Sequence, residues 1–318
     1  MKKAIKYFLL WIAWMIPGAF LMMFPAAIIV FAVSGGHPGD FFYNPWFLSL
    51  VIVGSQLLPL YVFWRAKYAN FGIDNRVNSV KLYLWIALAT IGCLIFNGTL
   101  QYYLPFVEME MEDLKFLEEM GKNPIGIISI CILAPLGEEA VFRGAIERHL
   151  LEKNWKPWLA ILVSALFFAV AHFNFTQGLT AIILGILLGW VYYRTRNLWP
   201  CIFIHAVNNT TATVLGFISE DAIETTSSLP IDIAWLVGAI ALVYFAIRQF
   251  NKMTESHLQV VLAEQQMRAE EQTRAEEEAF YELNNLSEPH PVPPIPSIPS
   301  TPSIQSDDLP EDITPPEE

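Results

Sequence analysis

The sequence predicts an all-α fold: a polytopic membrane helical bundle of about eight transmembrane helices, followed by a charged cytoplasmic helix and a disordered tail. Three observations predict it. Apolar residues fall in runs as far as Phe250, each of about 20 residues, the length a bilayer-spanning helix needs. Charged residues make up only 16% of the chain against 54% hydrophobic, and mean hydropathy is +0.41, whereas a soluble domain carries about a quarter charged residues. The composition then reverses, to Glu, Gln, Arg and Ala from Asn251 and to Pro, Ser and acid from Pro289. The chain therefore divides into a transmembrane bundle at 1–250, a charged cytoplasmic helix at 251–285 and a Pro-rich acidic tail at 286–318.

Taken in order, the apolar runs place helices at 7–33, 46–64, 81–104, 124–146, 157–174, 178–194, 198–218 and 231–249. The first follows Met1-Lys2-Lys3 as a signal peptide would, but its apolar stretch runs to Val33, too long for a cleaved leader, so it is read as an uncleaved span. Pro17 and Pro25 predict kinks in it. Pro200 suits the first turn of the seventh helix. Gly185-x-x-x-Gly189 in the sixth permits close packing, and Trp158, Trp190 and Trp199 suit an interfacial belt.

The loops orient the bundle. Lys2, Lys3 and Lys6 precede the first helix, Arg65, Lys67 and Arg76 follow the second, Arg148, Lys153 and Lys156 the fourth, Arg194 and Arg196 the sixth, and Lys252 the eighth. The alternate loops are poor in Lys and Arg, so both termini are expected in the cytoplasm, and the bacterial inner membrane is the expected location. The net charge of -12 is concentrated in Glu108–Glu119 and after Asn251, which leaves no basic surface for nucleic acid. Glu108–Met120 reads as an acidic loop or an interfacial helix, 252–285 as a solvated helix that continues the eighth span into the cytoplasm, and Pro289–Pro316 as low-complexity chain that a cytoplasmic partner could bind. Cys93, Cys131 and Cys201 sit singly in apolar runs and read as core residues.

Against this background, polar residues inside the spans stand out. The fourth helix contains Pro135-Leu136-Gly137-Glu138-Glu139-Ala140-Val141-Phe142-Arg143, and one embedded charge costs on the order of 3 kcal/mol on insertion scales. Adjacent residues diverge by about 100° around a helix, so the two carboxylates need different partners. Glu139 and Arg143 stand one turn apart in the favourable acid-before-base order, which assigns Arg143 to Glu139 and leaves Glu138 free to carry a proton. Of the six histidines, only His172 and His205 lie inside predicted spans, and His205 shares a face with Asn209.

Such groups suit attack by water on a carbonyl. A carboxylate sheltered from solvent is a competent base, an imidazole orients the water or binds a metal that activates it, and an amide with a second imidazole donates to the oxyanion. His172, His205 and Glu138 would also meet the requirements of a Zn2+ site with an open position, although the compact H-E-x-x-H helix is absent. A zinc route and a metal-free, glutamate-dependent route both stay open at this point.

Glu138-Glu139-x-x-x-Arg143, Phe168-x-x-x-His172 and His205-x-x-x-Asn209, in that order on three apolar helices, resemble the three motifs of the CPBP family of intramembrane proteases, which includes CAAX-processing type II endoproteases and the bacterial Abi proteins. The resemblance covers roughly 124–217. It implies an intramembrane endopeptidase that hydrolyses membrane-associated peptides or proteins, of the CAAX-processing or bacteriocin-processing kind, at a site open toward the cytoplasm. By resemblance, Glu138 activates water, His172 positions water or a metal, and His205 with Asn209 supports the oxyanion or completes the metal site. Glu139 and Arg143 fill the remaining motif positions. Two other classes compete: a proton-coupled transporter using the same embedded groups as a relay, and a non-catalytic immunity or scaffold protein acting through its tail.

Overall fold

The computed structural model describes residues 1–33, 44–103, 119–217 and 229–285. Among these there are helices and turns and no strand. The expected loops at 34–43 and 218–228, most of the acidic segment after Glu108 and the tail after Asn285 lie outside the described residues.

Among the described residues, helices stand at the eight expected places: α1 Lys2–Val33, α2 Pro45–Arg65, α3 Val80–Tyr103, α4 Pro124–Glu152, α5 Pro157–Val170, α6 Phe175–Thr195, α7 Leu198–Phe217 and α8 Leu229–Asn285. Six are long and apolar enough to cross a membrane; α5 is apolar but shorter, and α7 carries the polar His205-Ala206-Val207-Asn208-Asn209 stretch. With its peptide groups bonded internally, this is a polytopic helical membrane protein.

Caps and prolines set the helix starts. Asn44 Oδ1 accepts from Trp46 N ahead of Pro45, Asn123 Oδ1 from Gly126 N ahead of Pro124, and Asn174 Oδ1 from Gln177 N. Asn123 also donates to Ser49 Oγ at 3.0 Å, tying the start of α4 to α2. α1 and α2 cross at Gly18 and Gly54, each bare of side chain where the other's carbonyl passes, so any Cβ there would force the pair apart.

α4 is interrupted twice. Ser129–Leu133 and Phe142–Glu147 are π-helical and flank the α-helical stretch Ala134–Val141 that carries both glutamates. Wide turns of this kind aim side chains off the regular helical register and recur at functional sites.

One helix end departs from the sequence reading, and the segment that continues another packs on the bundle where a solvated helix was expected. The fifth helix was expected to run to 174; it ends at Val170, and His172 stands in the turn beyond. His172 N bonds to Ala169 O, Phe173 takes a left-handed φ of 50°, and Asn174 already caps α6, so the chain reverses within a few residues. At the other end, α8 runs unbroken past Asn251. Up to Gln265 it is part of the bundle: Arg194 donates to Asn251 O, Thr254 Oγ1 and Glu255 Oε2, Trp190 Nε1 to Asn251 Oδ1, and Gln265 Nε2 to Leu151 O. From Gln266 the chain forms a separate unit, whose described part is an exposed charged helix.

The apolar core gathers around α4, α5, α6 and the start of α7, with Phe142, Ile146, Phe168, Leu188 and Ile204 at its centre. Cys131 and Cys201 are buried, Cys93 is half-buried, and all three are free thiols.

Candidate active site

The embedded polar residues of α4, α5 and α7 meet in this core. Glu139 and Arg143 are wholly buried, and Arg143 Nη1 donates to Glu139 Oε1 at 3.0 Å. Arg143 Nη2 donates to Gly185 O on α6 at 3.0 Å, and its guanidinium carbon lies 4.8 Å from the centre of the Phe168 ring. Gly185-x-x-x-Gly189, read from sequence as a packing motif, thus also exposes the backbone oxygen that holds the arginine.

His205 closes the other side of Glu139, with Nδ1 at 2.8 Å from Oε1. That oxygen already receives the Arg143 N–H, so it is an acceptor and His205 Nδ1 must carry the proton. His172 is fixed in the same sense. Its Nδ1 sits 2.9 Å from Phe168 O, and a carbonyl can only accept. The Phe168-x-x-x-His172 spacing has a local cause here. His172 N turns to Ala169 O, which leaves Phe168 O at the helix end for the imidazole to satisfy. With both Nδ1 atoms donating, each ring leaves its Nε2 for other partners.

Glu138 is the accessible member of the pair: its side chain is 17% exposed against 0% for Glu139, and its Oε2 lies 3.7 Å from His205 Nε2, beyond a direct hydrogen bond. The Phe168 ring makes edge contacts with both imidazoles, 5.0 Å from His172 and 5.4 Å from His205, and covers Arg143.

Asn209 is positioned by a proline. In the π-helical register before Glu138, Ala134 N bonds to Ser129 O, so residue 135 would bond to Ile130 O; Pro135 has no N–H to give. Asn209 Nδ2 takes the freed carbonyl at 3.0 Å, and Asn208 Nδ2 donates to Asn209 Oδ1 at 3.2 Å. One N–H of Asn209 is left over.

The structure therefore links Glu139, Arg143 and His205 by hydrogen bonds, brings Glu138 to 3.7 Å from His205, packs His172 against the group through Phe168, and holds Asn209 one turn beyond His205 against α4. Sequence reasoning missed Pro135 with its freed carbonyl, the ring contacts of Phe168 and the buried Glu147. Pro135 was legible, as a proline four residues before Glu139; Glu147 lay on the same four-residue spacing but at the expected edge of the span.

Bare Nε2 atoms on imidazoles anchored through Nδ1 are the kind that ligate zinc. Among the described residues, however, no three His, Cys, Asp or Glu side chains stand together in an arrangement that would hold a metal ion.

Residues 121–211 match the family model of the Rce1-like type II CAAX prenyl endopeptidases, so the resemblance read from the motifs holds over the segment that carries them. The chain is 25% identical over 207 residues to a Bacillus subtilis (strain 168) protein named "Putative membrane peptidase YdiL", covering 61% of this chain and 84% of that one. It is also 29% identical over 178 residues to an uncharacterized 24.3 kDa protein of Escherichia coli, covering 54% of this chain and 82% of its relative. No solved structure matches the chain.

Proposed function

We propose that this protein is a glutamate-dependent intramembrane endopeptidase that hydrolyses peptide bonds of membrane-associated peptides or proteins. The observation that carries the reading is the division of labour between adjacent carboxylates: Glu139 is closed off by Arg143 and His205, while Glu138 stays partly exposed beside a bare imidazole nitrogen. The match of 121–211 to a CAAX endopeptidase family supports it.

In this reading Glu138 takes a proton from water while His172 Nε2 accepts the other O–H and aims the oxygen at the carbonyl carbon. The new C–O bond forms as the carbonyl becomes an oxyanion, which meets the unused N–H of Asn209. His205, held by Glu139 through its Nδ1–H, presents its bare Nε2 to the proton that Glu138 takes up. Collapse breaks the C–N bond, and the proton held by Glu138 passes to the leaving nitrogen. No metal enters these steps. The basic loops support an orientation with both termini cytoplasmic.

The test is hydrolysis of a library of membrane-anchored peptides by the purified full chain, before and after dialysis against phenanthroline. Cleavage that survives dialysis supports the reading. Cleavage lost on dialysis and restored by zinc would replace it with a metalloprotease, and a protein that cleaves nothing while driving proton-coupled uptake in vesicles would replace it with a transporter.

A further inference from the structure

Gln56 is a polar side chain that the bundle leaves unmatched. It lies in the apolar span α2 and is only 7% exposed, and its Oε1 has no hydrogen-bond partner among the described residues. Two serines of the same helix are satisfied. Ser55 Oγ donates to Ile52 O at 2.8 Å, and Ser49 Oγ donates to Pro45 O at 2.6 Å while accepting from Asn123 Nδ2 at 3.0 Å. A buried carboxamide without a partner carries a cost that an apolar residue of the same size avoids, so a protein that keeps one inside a span has a use for it.

The place of this side chain points to the site. Ser49 and Gln56 stand two turns apart on the face of α2 that packs on α4: a Cβ on Gly126 would lie 3.0 Å from Ser49 Oγ, and one on Gly137 would lie 3.0 Å from Gln56 Oε1. Gly137 immediately precedes Glu138. Successive positions step by about 100° around a helix, so Gly137 and Glu139 lie on either side of Glu138. Gln56 covers the first, while His205 bonds to the second at 2.8 Å and brings its Nε2 to 3.7 Å from Glu138 Oε2. The partly exposed carboxylate is therefore flanked by Gln56 on α2 and by His205 on α7. The carboxamide is closed off at Oε1, which leaves Nε2 as the end that can give an N–H.

We infer that Gln56 is a substrate-binding residue of the proposed site: its carboxamide N–H donates to a backbone carbonyl of the bound peptide next to the scissile bond, on the side of Glu138 opposite His205. His205 and Asn209 share one face of α7 and serve the reacting carbonyl from there. The α2 side then takes a neighbouring carbonyl whose charge does not change during the reaction, so the contact is equally strong in the bound substrate and in the transition state. Every peptide offers such a carbonyl, so the contact sets the register of the chain without choosing among sequences. The inference rests on the proposed function, and it extends the site to α2, outside the matched segment 121–211.

The test compares the full chain in detergent with its Gln56→Met variant, on the membrane-anchored peptide that the parent cleaves best. Met keeps the length of the side chain and has no donor, so KM should rise about 3- to 10-fold, the loss of one neutral hydrogen bond, with kcat little changed. Because Oε1 of Gln56 bonds to none of the described residues, the melting midpoint of Gln56→Met should equal or exceed the parent's. In a Glu138→Gln background, where turnover is slowed, Gln56→Met should weaken binding of the same peptide by the same factor. An unmoved KM or an unmoved affinity in folded Gln56→Met overturns the inference. A lower midpoint or a lost yield also overturns it, by making the carboxamide part of the fold. A parent that cleaves no peptide removes the proposed function and this contact with it, whereas a cleaving parent with an unmoved KM in the variant removes the contact alone.

Discussion

Replacing Arg143 by Met keeps the length and apolar stem of the side chain and deletes the guanidinium. The structure says what is lost: the bond to Glu139 at 3.0 Å, the bond to Gly185 O at 3.0 Å and the charge held 4.8 Å from the Phe168 ring centre. Both members of the ion pair are 0% exposed, so no solvent screens the orphaned Glu139. Breaking one side of a buried pair costs about 3–5 kcal/mol, and in a chain of this size each kcal/mol moves the melting midpoint by roughly 2–4 °C. Arg143→Met should therefore melt about 10 °C below the parent in matched detergent, with a falling monodisperse yield. Adding Glu139→Gln to it removes the stranded charge and leaves an amide oxygen for His205 Nδ1–H, so the double substitution should recover a large part of the loss. A parent-like midpoint for Arg143→Met, or a double no better than the single, would refute the reasoning.

Three further predictions follow from other parts of the structure. Asn209→Ala should cost about 3 kcal/mol of transition-state stabilisation, and Pro135→Ala, by restoring an N–H that competes for the carbonyl held by Asn209, should lower turnover several-fold without lowering the melting midpoint; unchanged turnover in both would remove Asn209 from the site. Ending the chain at Gln265 should leave the melting midpoint and peptide cleavage intact, whereas ending it at Phe250 removes the partners of Arg194 and Trp190 and should lower the midpoint; equal effects would contradict the contacts of 251–265. Asp74, between α2 and α3, is held below the ordinary carboxylate range by its hydrogen bonds from Arg76, so it adds stability above that range and loses it as pH falls through its lowered value. Asp74→Asn should thus be slightly less stable than the parent near neutrality, with the gap closing below about pH 4; a gap that widens on acidification would reverse the sign.

The eight helices were legible because the bilayer imposes one length on apolar runs, and the pairing of Arg143 with Glu139 because a four-residue step in a helix has one geometric meaning. What could not be read was what neighbouring helices supply. The partner of Arg143 Nη2 is a backbone oxygen on α6, and the acceptor for Asn209 exists only because α4 adopts a π-turn ahead of Pro135. The end of α5 at Val170 escaped because Ala171, His172 and Phe173 are ordinary helix residues, and it is a left-handed Phe173 and the Asn174 cap that stop it. The continuation of α8 into the charged segment was legible, but its docking was not: a change in composition marks where lipid ends, whereas the contacts of Arg194 with Thr254 and Glu255 come from the fold.

The central claim is that Glu138 is the base. The most direct measurement is the turnover of a membrane-anchored peptide by Glu138→Gln against the parent, both shown monodisperse with equal melting midpoints. Gln keeps the shape and removes the basic oxygen, so kcat should fall by a factor of roughly 100 to 10,000 with KM little changed. Turnover at the parent rate would contradict the account and return these embedded groups to the proton-relay reading.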